Sequence, residues 1–112
     1  MASTVPLTPP AFHVLLALED GKRHGYAIAQ DAEEQSGGSV RMGPATLYTT
    51  LQRLLDLGWI AAASAPPDVD ARRRYYRLTG AGRVALEAEI RRMEEVLAVV
   101  KSTRRRLATA KP

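Results

Sequence analysis

The sequence predicts one mainly α-helical domain that carries a small β-hairpin, an α+β arrangement. Three observations favour this class. Apolar residues recur at helical spacing in four segments. Two short strand-like segments stand together between the third and the fourth of these helices. The chain has 112 residues, 46% of them hydrophobic and 25% charged, which suits one folded domain with a single hydrophobic core.

Turn residues delimit the first two helices. Thr8 stands before two prolines, which favours a helix start because threonine caps free amides and proline has no N–H to leave unpaired. This helix ends at the turn sequence 19–21. The second helix is predicted from about His24 to the glycine pair 37–38. We expect residues 39–41 to pair as a very short strand.

The third helix has the most informative pattern. Gly43 and Pro44 open it, and Gly58 marks its end. At 100° per residue, four leucines form a stripe that we expect to be buried. The opposite face and its border are polar or aromatic, with one arginine: Thr46, Tyr48, Thr49, Thr50 and Arg53. Such a face can approach a DNA groove closely, and arginine can reach a guanine edge or a phosphate. A neutral, solvated face is the alternative.

A hairpin follows the third helix directly. Residues 59–63 are predicted as a strand, 65–70 as a loop and 72–78 as the return strand. Three consecutive arginines stand at the loop end of the return strand: Arg72, Arg73 and Arg74. Alternation along a strand places the first and third of them on one side and the second on the other. Helix, turn, helix and a hairpin with a basic tip is the order of a winged helix-turn-helix domain, which puts one helix in the major groove of DNA.

The four tyrosines are expected to differ in burial. Tyr26 and Tyr48 are predicted to be partly buried, with hydroxyls at the surface where they could meet phosphate. Tyr75 and Tyr76 alternate along the return strand, so we expect one to face the core and the other to face outward. Tyr26 is therefore grouped with the third helix and the wing as a candidate DNA contact.

The last helix is predicted from about Gly80, after a Thr79 cap, to the arginines at 104–106. Its apolar residues are spaced 4, 3, 4 and 3 and form a heptad seam: Leu86, Ile90, Met93, Leu97 and Val100. One small domain cannot bury so long a seam, so we expect it to pack against a second copy in a two-fold dimer. A helix lying on a membrane is the rival, but the glutamates on its polar face argue against an anionic lipid surface.

The charge distribution favours a polyanionic partner. Sixteen basic and 12 acidic residues give a net charge of +4. Residues 1–56 hold four basic and six acidic side chains, hence −2, and residues 57–112 hold twelve and six, hence +6. Nucleic acid or an anionic membrane surface would suit this positive second half. A basic surface that is merely solvated is the ordinary alternative.

Several classes of function are excluded by residues that the sequence lacks. There are no cysteines, which removes disulfides, Cys-ligated zinc and thiol nucleophiles, and two histidines cannot build a multi-His metal site. No run approaches the roughly 18 apolar residues of a membrane span, and the first ten residues lack the features of a signal peptide. No phosphate loop or nucleophile elbow occurs. We therefore expect no enzyme, no cofactor and no membrane partner.

Several short motifs occur in a specific order and spacing. They are His24-Gly25-Tyr26, residues 43–48, Leu51 with Arg53-Leu54, Gly58, Ile60, residues 72–79 and Gly82. Together they make the chain resemble PadR-type transcriptional regulators of the short branch with one C-terminal helix. The resemblance implies a cytoplasmic homodimeric winged-helix regulator, usually a repressor. It also implies an operator with dyad symmetry and release by a small hydrophobic or aromatic effector.

The expected organisation is one folding unit with two functional parts. Residues 1–79 would form the winged helix-turn-helix DNA-binding part, and residues 80–112 the dimerisation helix and a basic tail. Two positions depart from the family pattern, because Ala45 stands where glycine is usual and Trp59 where leucine is usual. Alanine is the better helix former, so a firmer helix start is expected. A winged-helix module that dimerises and binds proteins without specific DNA binding is the alternative function.

Overall fold

Four helices and a three-stranded antiparallel sheet make up the computed structural model, which describes residues 7–69 and 72–110. Their order along the chain is α1 (Pro9–Ala17), β1 (Arg23–His24), α2 (Gly25–Gln35), α3 (Pro44–Asp56), β2 (Ile60–Ala63), β3 (Tyr75–Leu78) and α4 (Gly80–Thr109). The predicted class, mainly α with a small β-hairpin, is confirmed. None of the helices in the described ranges is long and apolar enough to cross a membrane.

The helix ends follow the capping residues that the sequence contains. The Thr8 hydroxyl accepts a hydrogen bond from the Ala11 N–H (3.3 Å) at the start of α1. Beyond the end of α3, the Trp59 and Gly58 N–H groups donate to the Leu54 and Leu55 carbonyl oxygens, both at 3.0 Å. These two bonds form a Schellman turn, and Gly58 supplies the left-handed backbone (φ 75°) that the turn requires.

The sheet has the order β1-β3-β2, and its edge strand β1 is not the segment that the sequence favoured. The prediction that residues 39–41 pair as a strand is wrong. The Val40 N–H instead donates to the Ser36 hydroxyl (2.8 Å), which binds this segment to the last turn of α2. Arg23 and His24 take the edge position and pair with Tyr76 and Tyr75 respectively.

The hairpin is shorter than predicted. Its first strand begins at Ile60, and its return strand begins at Tyr75, so the arginines before Tyr75 lie in the turn. The expectation that one of the two tyrosines faces outward is wrong, because Tyr75 and Tyr76 are both buried, at 9% and 6% exposure. Tyr76 belongs to the core, whereas the ring of Tyr75 is covered edge-on by the ring of His24 (centroids 5.5 Å apart).

One hydrophobic core joins α1, α2 and α3 to the sheet and to the first turns of α4. Its largest fully buried side chains are Val14, Leu15, Leu18, Ile28, Leu51, Leu54, Ile60 and Leu86. Leu86 has no exposed surface, and Ile90 packs against the same core. The predicted heptad seam therefore begins inside the chain's own core, and only its later residues are exposed.

Thr79 joins the end of α3, the hairpin and the start of α4. Its N–H donates to the Trp59 carbonyl oxygen (3.1 Å), and its hydroxyl donates to the Gly58 carbonyl oxygen (2.6 Å). The same hydroxyl oxygen accepts from the Gly82 N–H (3.0 Å), which caps α4. A Cβ atom at Gly82 would overlap the Trp59 carbonyl group and lie 2.8 Å from a methyl carbon of Leu78. Glycine is therefore required where α4 crosses the chain that follows α3.

Gly82→Ala should lower the free energy of unfolding by about 1–3 kcal/mol, since the added methyl has backbone rather than a flexible side chain to displace. Gly80→Ala is the matched control. An added Cβ at Gly80 meets no atom within 4 Å, so this variant should be neutral or slightly more stable. Chemical denaturation of both variants provides the measurement. Equal stabilities would contradict the close approach at Gly82.

Candidate nucleic-acid interface

The two faces of α3 separate as the sequence predicts. Leu47, Leu51 and Leu54 are buried against the core. The other face is exposed at Thr46, Tyr48, Thr49 and Arg53, and half-buried at Thr50. The structure therefore brings the five α3 candidates together on one outward surface, which we call the α3 face: Thr46, Tyr48, Thr49, Thr50 and Arg53.

Two hydrogen bonds on α3 restrict which groups of this helix can bind a ligand. The Thr50 hydroxyl donates to the Thr46 carbonyl oxygen (2.7 Å), so Thr50 offers only its oxygen as an acceptor. The Gln52 amide donates to the Asp56 carboxylate (2.9 Å). That bond holds the acid of the last turn to its own helix rather than to Arg53. The i, i+4 spacing of Gln52 and Asp56 is a sequence signal from which this pairing could have been predicted.

Tyr26 and Tyr48 are more exposed than predicted. Their side chains are 68% and 62% exposed, so the expectation of partial burial is wrong for both. Tyr26 lies in the first turn of α2, where Ile28 and Ala32 occupy the buried face. Tyr48 is exposed, whereas its neighbour Leu47 is buried. Both rings and hydroxyls are therefore available to a partner.

The three wing arginines are exposed in the turn that precedes β3. Because they are not part of the strand, its alternation does not set the side on which each one lies. The Arg73 guanidinium approaches His24, with Nη1 3.0 Å from Nε2 of the imidazole. Lys22 holds the other arm of the hairpin, since its ammonium group donates to the Ser64 carbonyl oxygen (2.7 Å). The predicted loop 65–70 extends outside the described residues at position 70.

His24 stands at the start of α2, as the sequence predicts, and it also connects the sheet edge to the wing, which the sequence did not reveal. Its Nδ1 accepts a hydrogen bond from the Ala27 N–H (3.2 Å) and so caps α2. Burial, together with the positive charge of Arg73, lowers the pKa of His24 below its ordinary value of 6.5. The imidazole is therefore held in its neutral form at neutral pH.

The predicted seam on α4 divides into an internal and an external part. Leu86 is enclosed by the chain's own core and Ile90 is half-buried against it, whereas Met93, Leu97 and Val100 are exposed. Val96, which lies beside them one turn from Val100, is also exposed and was not among the predicted residues. Leu97 keeps 51% of its surface exposed, which is unusual for leucine in a folded domain. The external part is an apolar strip that the described residues, 7–69 and 72–110, leave exposed.

An ion pair on α4 between a buried acid and a partly exposed arginine was also not predicted. Glu89 is buried, and its carboxylate accepts hydrogen bonds from Nε and Nη2 of Arg92, at 2.9 and 2.8 Å. The Arg92 hydrogen bond and charge, with a further bond from the backbone N–H of Leu7, hold the pKa of Glu89 below its usual value despite burial. The sequence signal was only an acid three residues before an arginine, which is common on exposed helices.

No group of three or more His, Asp or Glu residues within 7–69 and 72–110 is placed to hold a metal ion. Besides the apolar strip on α4, the exposed candidates for contact with a partner are the α3 face, Tyr26 and the wing arginines. A neutral, hydroxyl-rich helix face beside a basic turn matches the hydrogen-bonding groups and the charge of double-stranded DNA.

Residues 14–88 match the family model described as the transcriptional regulator PadR-like family. The chain belongs to this family. The predicted resemblance is therefore confirmed. PadR-like proteins are transcriptional regulators rather than enzymes, which agrees with the expectation that the chain is not an enzyme.

Two relatives illustrate the similarity of this sequence to other proteins. The chain is 39% identical over 84 residues to the transcriptional regulator Rv3488 of Mycobacterium tuberculosis, a match that covers 75% of each protein. It is 42% identical over 80 residues to an uncharacterized 37.1 kDa protein in transposon TN4556 of Streptomyces fradiae. That match covers 71% of this chain but only 21% of the relative.

Solved PadR structures share the fold. A PadR family transcription regulator from Clostridium difficile R20291 superposes with a TM-score of 0.72 at 22% identity, covering 86% of this chain and 98% of that one. Bacillus subtilis PadR, solved in complex with operator DNA, superposes with a TM-score of 0.59 at 25% identity. The latter match covers 69% of this chain and 44% of that chain.

Proposed function

We propose that this PadR-like chain is a sequence-specific DNA-binding transcriptional regulator whose third helix reads the major groove. The observation that carries the proposal is the α3 face, which is largely exposed, is rich in hydroxyls and includes Arg53, while the one acid of α3, Asp56, accepts a hydrogen bond from Gln52 of the same helix. A face that only meets water would be richer in glutamate and lysine. The solved complex of Bacillus subtilis PadR with operator DNA supports the same class of partner.

Each residue of the α3 face has a role that suits its chemistry. Thr46 and Thr49 are short enough to let the helix enter the groove and to meet base edges or adjacent phosphates. Arg53 has the reach and the two-pronged geometry for a guanine edge or a phosphate. Thr50 can only accept, since its proton is engaged by the helix backbone. The exposed phenols of Tyr48 and Tyr26 would contact phosphates.

The wing arginines would hold the DNA backbone rather than choose the sequence. Arg72, Arg73 and Arg74 are exposed in one turn beside the sheet. Guanidinium groups in such a position suit phosphates or a narrow minor groove next to the groove that the reading helix occupies. The α3 face would thus carry the sequence choice, and the wing would add affinity that depends on salt.

Arg53→Ala should weaken binding to the operator by about 1–3 kcal/mol and reduce the preference for operator over random duplex, if Arg53 contacts a base. The operator would first be selected from genomic DNA of the host. Arg105→Ala, an exposed arginine near the end of α4, removes the same charge and is the control. Fluorescence anisotropy with both duplexes provides the measurement. Operator affinity equal to that of the parent would contradict the role of α3.

The chain would act as a homodimer. The uncovered strip formed by Met93, Val96, Leu97 and Val100 suits a second copy, because closed two-fold dimers bury such a strip on both partners at once. Two copies would present two α3 faces to an operator with dyad symmetry. In this arrangement residues 1–79 would bind DNA, and residues 80–112 would provide the dimerisation helix and the basic tail.

We further infer a cytoplasmic repressor, in keeping with PadR-like relatives and with a partner that is chromosomal DNA. A repressor of this kind occludes the promoter while it is bound. A small hydrophobic or aromatic effector would release it by binding between the subunits. The last helix carries no tryptophan to stack on a flat ligand, so such an effector would have to rest on aliphatic side chains of the strip.

Met93→Asp combined with Leu97→Asp should give monomers and abolish tight operator binding, since one half-site contributes only part of the affinity. Leu86 and Ile90 are left intact because they serve the chain's own core. Val84→Asp places the same charge on an exposed α4 position outside the strip and is the control. Sedimentation velocity at micromolar concentration decides the outcome. A monomeric parent, or a double variant that still dimerises, would exclude the strip as the dimer interface.

A further inference from the structure

Two hydrogen-bond donors face the imidazole of His24, which in its neutral form has only one acceptor nitrogen. The Ala27 N–H points at Nδ1 (3.2 Å), and Nη1 of Arg73 lies 3.0 Å from Nε2. A neutral imidazole has one nitrogen with a lone pair and one that carries a proton, and a guanidinium only donates. The cap of α2 and the wing arginine therefore compete for a single acceptor.

The other groups that face His24 do not relieve this competition. On β3, Tyr75 covers the ring edge-on. The neighbouring Arg23 is already paired with Asp20 (3.1 Å) and Asp31 (2.9 Å). Among residues 7–69 and 72–110, no carboxylate contacts the imidazole. A positive charge on His24 would therefore lie against the positive charge of Arg73, with no acid among the described residues in contact with the ring.

We propose that His24 is a positioning residue for the wing: while the ring is neutral, its single acceptor nitrogen is available either to the α2 cap or to Arg73, and the ring takes up a proton when DNA backbone binds at Arg73. The inference rests on the proposed function, since it treats Arg73 as a phosphate contact. A phosphate at the wing draws the guanidinium toward itself and neutralises its charge. The same phosphate favours an imidazolium at His24, so proton and DNA bind together.

This coupling has a direction. Because one proton enters the complex, duplex affinity should rise as the pH falls from 8 to 6, by at most about tenfold per pH unit. In the absence of DNA, protonation of His24 should lower the stability of the fold. An imidazolium cannot accept from the Ala27 N–H, so the helix loses its cap. The lowered pKa of His24 agrees with this, since its contribution to stability is present above pH 6.5 and is lost as the pH falls through the folded-state pKa.

His24→Asn separates the two roles of the residue. Asparagine is a good helix cap, so α2 keeps its start, but it does not titrate and lacks the second ring nitrogen that faces Arg73. Arg73→Ala removes the wing partner from an exposed turn without touching the core. Chemical denaturation at pH 8 should therefore find both variants folded.

The test measures the affinity of the parent chain, both single variants and the double variant for a labelled random-sequence duplex across a salt series at pH 6, 7 and 8. Arg73→Ala should reduce the slope of log affinity against log salt by about 0.9, as expected for one lost phosphate contact. His24→Asn should flatten the pH dependence while leaving affinity at pH 8 within about twofold of the parent. The pH dependence of duplex affinity in the double variant should be no weaker than in His24→Asn alone.

The outcomes distinguish this inference from the function on which it rests. If His24→Asn keeps the full pH dependence of the parent while Arg73→Ala lowers the salt slope, the coupling is wrong and the wing contact stands. If Arg73→Ala leaves the salt slope unchanged, Arg73 does not bind the backbone and the coupling fails with it. A parent that does not bind duplex at any salt concentration overturns both.

Discussion

The hydrogen bonds of Thr79 are the constraint on which the rest of the structure depends. The Thr79 hydroxyl donates to the Gly58 carbonyl oxygen just after α3 and caps the first turn of α4. Its backbone N–H donates to the Trp59 carbonyl oxygen just before β2. The absent side chain of Gly82 lets the helix and the arm cross in contact. The direction of α4 relative to α3 is fixed there, so in the proposed dimer the same contacts set the distance between the two reading helices.

The ion pairs among the described residues do not include any side chain of the α3 face. Those within the described residues link Arg23 to the acids of the α1–α2 region, Arg41 to Glu33, and Arg92 to Glu89. Three acids of the first half, Asp20, Asp31 and Glu33, thus pair with arginines of the same half.

Local sequence signals predicted a large part of this architecture. The α3 face could be identified because helical periodicity alone separates Leu47, Leu51 and Leu54 from the threonines and Arg53. The Thr8 and Thr79 caps and the turn at Gly58 were equally visible, since capping depends on a few adjacent residues.

The features that were not predicted all depend on contacts between distant segments. The edge strand at Arg23 and His24 exists only because β3 is there to pair with it. Tyr75 is buried because His24 covers it, and a heptad pattern cannot tell that Leu86 meets its own core rather than a second copy. The pairing of Glu89 with Arg92 under burial is likewise a tertiary effect, since nothing in the local sequence distinguishes it from a surface pair.

The central claim is that two copies of this chain read DNA with their third helices from one side of the duplex. Methylation protection on an operator selected from the host genome tests it most directly, because it reports contacts to guanine N7 in the major groove. The account predicts two protected major-groove patches, related by dyad symmetry and centred about one helical turn, or a multiple of it, apart on the same face of the DNA. Protection of a single patch, or contacts confined to the backbone and minor groove, would contradict it.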